Sequence, residues 1–204
     1  MTEFWNSLLT EKSWKLLQEI RNKYDFILIG GWAVYLLTKQ QKSKDIDIVV
    51  SIEELQKLKS GNLQKNQNLK KYEIKTEEID IDIYVEYYSE LGIPVEDIKN
   101  HIIFVEGFKI PNVEAMIILK QEAYKNRKDS VKGQKDEIDI LSLIFFSDFN
   151  PKNYIKILRE YKKDIFYSEL IPIIKNFKEY EKLNLNPREF KIRKNKILES
   201  LRKI

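Results

Sequence analysis

The chain is 204 residues long, 43% hydrophobic and 33% charged, with no cysteine and one histidine. It is long enough to bury one large or two small cores. Disulfides, thiolate metal sites and any site needing two histidines are excluded, and hydrolytic triads are poorly supported. The net charge of +4 divides unevenly: residues 151–204 carry 15 Lys/Arg against 7 Asp/Glu, and the remaining residues carry 21 against 25. An acidic front and a basic tail suit a metal site beside a surface for polyanions, although Lys/Ile-rich helices solvate in the same way. No apolar run reaches the roughly 18 residues of a membrane span. The first residues, Met-Thr-Glu-Phe-Trp-Asn, lack the basic-then-apolar pattern of a secretory signal. With the missing cysteines, this makes the cytoplasm the expected location.

Residues 2–22 read as a helix. Phe4, Trp5, Leu8 and Leu9, then Trp14, Leu16, Leu17 and Ile20, recur at helical spacing, and Thr10 is placed to cap a second segment. Residues 26–29 read as a short buried strand ending at Gly30-Gly31. Glycine there permits positive φ and close approach of backbone N–H groups to a ligand, and the N-terminus of the helix that follows, 32–39, suits phosphate. A plain tight turn explains the two glycines equally well, and Trp32 is expected to pack. After a basic loop, 40–44, residues 44–50 read as a strand in which Asp45 and Asp47 share a face. Their backbones are about 6.6 Å apart. At an effective dielectric near 20, like charges at that distance cost about 2.5 kcal/mol, and Asp is disfavoured in strands. A divalent cation is the natural offset, since Mg²⁺ is held by one or two carboxylates plus substrate phosphates.

Ser51 and Glu54 fit a capping box for a helix to about Leu58, and 60–70 is a polar connection without period. Residues 72–75 and 79–86 read as a hairpin. Ile79, Ile81, Ile83 and Val85 face one side, and Asp80, Asp82, Tyr84 and Glu86 the other. An amphipathic edge strand accounts for the alternation but not for Asp as the polar choice twice. Asp82 or Asp80 is placed to complete a three-carboxylate cluster with Asp45 and Asp47. A short helix is expected over 95–100, then a hairpin, 101–105 and 108–110, around Glu106-Gly107. His101 opens its first strand in a surface or packing role. Asn112 caps a helix over 113–126 that sets Lys120, Tyr124 and Arg127 on one face. A polar loop, 129–134, precedes a helix over 135–146 carrying Asp136 and Asp139, which alone read as a solvated face. Asn150-Pro151 breaks the chain. Helices follow over 151–162, 165–178 (kinked or broken at Pro172) and 187–203, the last opened by Asn186-Pro187.

An apolar strand, Gly30-Gly31, 13 residues and then Asp45-Ile-Asp47-Ile resembles the signature of the DNA polymerase beta-type nucleotidyltransferase superfamily. A further resemblance is to its AbiEii-like branch, which includes abortive-infection and type IV toxin enzymes. The branch's second motif is matched by Lys120, Arg127 and Lys135-Asp136-Glu-Ile-Asp139. The two motifs cover about residues 24–145, and 151–204 matches nothing further. Many members have Gly-Ser where this chain has Gly-Gly, so Ser43 is the substitute for that hydroxyl.

The resemblance implies an α/β (α+β) fold: a polymerase beta-like core with a mixed sheet over 1–110, its two acidic strands side by side. A helical region, 111–204, completes the nucleotide cleft and ends in the basic tail. It implies Mg²⁺ or Mn²⁺ on Asp45, Asp47 and Asp82 (alternatively Asp80), with Asp82 also placed to take the proton of an attacking hydroxyl. Gly30, Gly31, Ser43, Lys120 and Arg127 would hold the NTP. The activity implied is transfer of an NMP from an NTP to a hydroxyl or phosphate acceptor: tRNA, a protein or a small molecule such as an antibiotic. A toxin role with an antitoxin partner belongs to the same branch. The alternatives are a catalytically silent nucleotide-binding module of the same fold and a nucleic-acid-binding protein that works through its tail.

Overall fold

The computed structural model describes residues 2–58, 62–76 and 78–203, and for residues 2–6 the backbone alone. The side chains of Phe4 and Trp5, and the start of the 60–70 segment, lie outside the described residues. The chain divides into two compact units, Met1–Asn112 and Val113–Ile204. Among the described residues no helix is long and apolar enough to cross a membrane.

The first unit runs α1 (Thr2–Arg21), β1 (Ile27–Ile29), α2 (Gly30–Thr38), β2 (Ile46–Val50), α3 (Ile52–Leu58), β3 (Leu63–Asn66), β4 (Lys71–Lys75), β5 (Asp80–Val85), a 3-10 helix (Val95–His101), β6 (Ile102–Val105) and β7 (Phe108–Pro111). Five strands form one mixed sheet in the order β1-β2-β5-β4-β3, and β6 and β7 form a separate antiparallel pair. In the large sheet only β2 and β5 run parallel. The two acidic strands therefore lie side by side, as the resemblance implies. Leu28, Ile48 and Ile83 stand level on adjacent strands, as do Ile46 and Ile81, and all five are buried. This apolar face fixes the register, because a slip of one residue would turn every isoleucine outward.

Several local expectations change. α1 is one continuous helix. Thr10 caps nothing and instead donates from Oγ1 to the Ser7 carbonyl at 2.9 Å, a bond that a mid-helix Thr makes to the preceding turn. Ser51 Oγ accepts from Glu54 N at 3.1 Å, but the Glu54 carboxylate accepts from Asp25 N and pairs with Lys57, so only half of the capping box forms. The polar connection contains β3, an exposed edge strand paired to β4. Its sequence, Leu-Gln-Lys-Asn, has no apolar alternation because neither face is buried, and a polar, lysine-bearing edge is the usual guard against stray pairing. His101 ends the 3-10 helix instead of opening a strand, and its carbonyl accepts from Asn112 N at 2.7 Å. Trp32 packs, as expected: it is 1% exposed, donates to Ser13 Oγ at 2.9 Å, and its ring centroid lies 4.9 Å from that of Trp14.

The second unit is helical: α4 (Val113–Arg127), α5 (Val131–Phe146), α6 (Pro151–Glu160), α7 (Ile165–Asn176), a 3-10 turn (Tyr180–Leu183) and α8 (Pro187–Arg202). The expected polar loop over 129–134 is mostly the first turn of α5. Ser130 caps it, accepting from Gly133 N at 3.1 Å. Pro172 stands inside α7, which continues past it to Asn176. Asn186 and Glu189 complete a reciprocal capping box at α8. The turn between α4 and α5 is tight enough that a methyl on Gly133 would lie 2.1 Å from the Arg127 carbonyl oxygen and 2.7 Å from Lys128 Cα. Both are backbone atoms and cannot swing aside. Gly133→Ala is therefore expected to destabilise this unit by about 1–3 kcal/mol, read as a lower urea midpoint by circular dichroism, even though alanine favours helix.

Candidate active site

β1 delivers the chain to Gly30, the first residue of α2, at φ +67°. A left-handed residue at the head of a helix favours glycine, and space demands it as well. A methyl on Gly30 would stand 2.1 Å from Asp47 Oδ2 and 2.7 Å from Asp47 Cβ. The Asp47 side chain thus lies directly against the glycine turn, where the N-terminal end of α2 presents partial positive charge. Asp45 precedes β2, half-exposed. Ser43 is buried, and its hydroxyl donates to the Asp45 carbonyl at 3.1 Å, so it braces the entry to the acidic strand. The glycine turn, Ser43, Asp45 and Asp47 are all carried by the short span from β1 to β2.

On the next strand Asp82 stands level with Asp47, and on the strand after that Glu73 stands level with Asp82. Level residues on adjacent strands project from the same face. Three carboxylates therefore form one row across β2, β5 and β4. Asp80 is exposed and level with Lys75. Lys71, 7% exposed, reaches into the row: its Nζ lies 2.5 Å from Asp82 Oδ2 and 3.1 Å from Glu73 Oε1. Lys75 Nζ adds a contact of 3.3 Å to Glu73 Oε2, and Asn66 Nδ2 donates to Glu73 Oε1 at 2.9 Å. Burial works to raise the Glu73 pKa, but the Asn66 hydrogen bond and the Lys71 and Lys75 ammonium groups outweigh it and bring it down to about 2. Burial works to lower the Lys71 pKa, and its bonds and charge contacts with Asp82 and Glu73 carry it above the usual lysine value. Glu73 and Lys71 are not singled out by the sequence. Their segment, Lys-Tyr-Glu-Ile-Lys, reads as one more amphipathic strand, and only the register places its polar face against Asp82.

The second motif lies in the helical unit and closes on itself. Asp136 and Asp139 are buried, not on a solvated face, at 1% and 3% exposure. Lys120 Nζ lies 3.1 Å from Asp136 Oδ1 and 2.6 Å from Asp139 Oδ2. The Asp139 oxygen makes no directed hydrogen bond, so that contact is one of charge. Arg127 forks onto Asp136, Nε to Oδ2 at 2.7 Å and Nη2 to Oδ1 at 3.1 Å. Two cations thus meet two anions where α4 and α5 pack together. Lys135, next to Asp136, is half-exposed.

No family model matches the chain, and no curated protein does. Solved structures do match over nearly the full length. JHP933 from Helicobacter pylori has a TM-score of 0.50 at 18% identity, covering 95% of this chain and 94% of that one. A "putative nucleotidyltransferase" from the same organism has a TM-score of 0.52 at 17% identity, with 97% of each chain covered. The fold is nucleotidyltransferase-like. It combines the mixed five-stranded sheet with a helical C-terminal region, as the glycine and Asp-x-Asp signature implies.

Among the described residues no group of three or more His, Asp or Glu side chains is disposed to hold a metal ion. The carboxylates of Asp47, Asp82 and Glu73 stand in a line across strands, with a lysine inside the line, so they do not converge on one point. Asp45 and Asp47, at the start of β2 beside the glycine turn, have the hard-oxygen chemistry that a divalent cation takes together with phosphate oxygens and water. They do not fit a three-carboxylate site that includes Asp82.

Two expectations follow. A carboxylate with a depressed native pKa contributes stability above its ordinary value, near 4.5 for Glu73, and loses it as pH falls toward about 2. Glu73→Gln is expected to be less stable than the native chain at pH 7, with the gap closing across that window in urea melts taken at a series of pH values. Lys120→Ala strands Asp139 and half of the Asp136 charge in the helical core, and a broken buried pair costs about 3–5 kcal/mol. Chemical denaturation followed by helix content checks this.

Proposed function

We propose that this chain is a metal-dependent nucleotidyltransferase that moves an NMP from an NTP to a hydroxyl or phosphate acceptor. The observation that carries the reading is the packing of Asp47 against Gly30. It joins a helix N-terminus, which favours phosphate, to a carboxylate pair that repels it. A divalent cation between them reconciles the two, because it accepts carboxylate and phosphate oxygens together. Asp45 and Asp47 would hold Mg²⁺ or Mn²⁺, and Gly30 and Gly31 would let the backbone of α2 approach the triphosphate. Ser43 serves by bracing Asp45. The bound ion would supply charge neutralisation at the α-phosphate. This chain's own residues position the triphosphate and set the field at the site. Asp82, next to Asp47, is the proton acceptor for the attacking hydroxyl. Lys120 and Arg127, already matched by Asp136 and Asp139, hold the shape of the helical unit, and Arg127, with 43% of its side chain exposed, retains surface for a phosphate.

The basic stretch over 151–204 favours RNA or a protein as acceptor over a small antibiotic. A toxin-like role held in check by an antitoxin, as in the AbiEii-like branch, is consistent with that acceptor class. One observation favours a second reading, a catalytically silent NTP-binding module: the Lys71 ammonium on Asp82 opposes the transfer of a further proton to that carboxylate.

If the carboxylate pair exists to bind a cation, Mg²⁺ or Mn²⁺ with NTP raises the melting temperature by ligand linkage. Asp47→Asn is expected to remove most of that gain and to abolish transfer of label from NTPs to RNA or protein in a cell extract, while leaving metal-free stability equal or slightly higher. A purely structural pair gives the opposite pattern: no response to metal, and a loss of stability on substitution. Metal- and NTP-dependent stabilisation without any transfer to any acceptor supports the silent module.

A further inference from the structure

We propose that a cavity of about 420 Å³ beside α2 is a second nucleotide-binding site, one that takes an unpaired nucleobase together with its phosphate. Neither a metal ion nor an NTP at the glycine turn is needed for it.

The cavity lies within the first unit, between α1, α2, the basic loop before β2 and the turn from β6 to β7. Its volume falls in the range of small-molecule sites, roughly 300–1,000 Å³. Glu11, Trp14 and Lys15 line it from one face of α1, as their spacing of i, i+3 and i+4 requires. The floor is aromatic. Trp32 is buried and its indole N–H donates to Ser13 Oγ, so it offers the cavity apolar surface only. The Trp14 ring centroid lies 4.9 Å from that of Trp32, and Tyr35 stands edge-on to Trp32 at 5.6 Å. Trp14 and Tyr35 are only half-buried, so both rings keep surface open to a ligand.

The rim selects the ligand. Lys15, Lys39 and Lys42 are exposed around the cavity. Lys39 pairs with Glu106 and lies 5.2 Å from the Tyr35 ring centroid, so the aromatic surface already faces one cation and a cationic guest is repelled. An anion with a flat π face fits instead. Stacking on aromatic rings beside positive charge is how proteins hold unpaired nucleotides, with Lys15 and Lys42 placed for the phosphate. Glu11 separates a nucleotide from an acidic peptide. Its carboxylate repels a peptide carboxylate but accepts from the exocyclic amino group of a base such as cytosine. Lys42 also stands three residues before Asp45, so one loop joins the cavity to the acidic strand.

Tryptophan fluorescence tests this, because Trp5, Trp14 and Trp32 are the chain's three tryptophans and none lies in the basic stretch over 151–204. The full chain is titrated in EDTA, which withholds divalent ions from Asp45 and Asp47, with CMP, with a short oligocytidine strand and with an abasic strand of the same length. The oligocytidine is expected to quench the native chain and the abasic strand to leave it unchanged. Quenching by CMP as well identifies the ligand as a free nucleotide, and quenching by the strand alone identifies it as single-stranded RNA; both uphold the site. Lys15→Glu/Lys42→Glu and, separately, Tyr35→Leu keep every tryptophan, and each is expected to weaken the binding by roughly tenfold or more. Where Tyr35→Leu does not fold, the charge reversal on the exposed lysines decides alone. Absence of quenching overturns the inference. Equal quenching by the abasic strand or by an acidic peptide overturns it too, as does unchanged binding by the charge-reversed chain. Each of these failures leaves the metal- and NTP-dependent stabilisation of the proposed function untouched, since that is read with metal present.

Discussion

Asp47 and Asp82 stand level on adjacent parallel strands, about 4.8 Å apart in the hydrogen-bonding direction, and two carboxylates at that spacing repel. The rest of the site answers that repulsion. The apolar face of the sheet supplies the force that keeps them there: Ile46, Ile48, Ile81 and Ile83 are buried beneath, and a shift of register would expose them. On the polar face, Lys71 takes up Asp82 and Glu73, while Asp47 rests against the one residue type that leaves it room, Gly30. The electrostatic cost is held in place by hydrophobic burial on the opposite side of the same strands.

Both units meet buried charge in the same way but to different ends. In the helical unit, Lys120 and Arg127 face Asp136 and Asp139 and the group is neutral. Such a cluster is a weak source of net stability, since desolvation consumes most of the Coulomb gain, but it penalises any packing of α4 on α5 that separates the partners. In the sheet unit Lys71 meets Asp82 and Glu73 together, and Lys75 adds a second contact to Glu73.

The glycine turn, the two acidic strands and the helical C-terminal region were legible in the sequence because each has a local cause, and the fold class followed from the resemblance those segments carry. Alternation of period 2 announced β5, the Gly30-Gly31 pair announced a turn with positive φ, and Asn186-Pro187 announced a capped helix. Local causes also misled. Thr10 and Ser51 have the chemistry of capping residues, but α1 continues through the first, and the Glu54 partner of the second bonds to Asp25 and Lys57. β3 was invisible because an edge strand with no buried face leaves no periodic trace.

What the sequence could not state is which polar residues meet. Asp80 and Asp82 are equivalent by alternation, and only the pairing of β5 with β2 puts Asp82 level with Asp47. Lys71 and Glu73 carry no motif, and only the antiparallel register of β4 brings them to the acidic row. Asp136 and Asp139 look like a solvated helical face until α4 covers them. Periodicity fixes which side of an element a residue occupies, because that follows from the geometry of one chain segment. Neutralisation and burial depend on distances between segments, and those exist only after the sheet and the helices have closed.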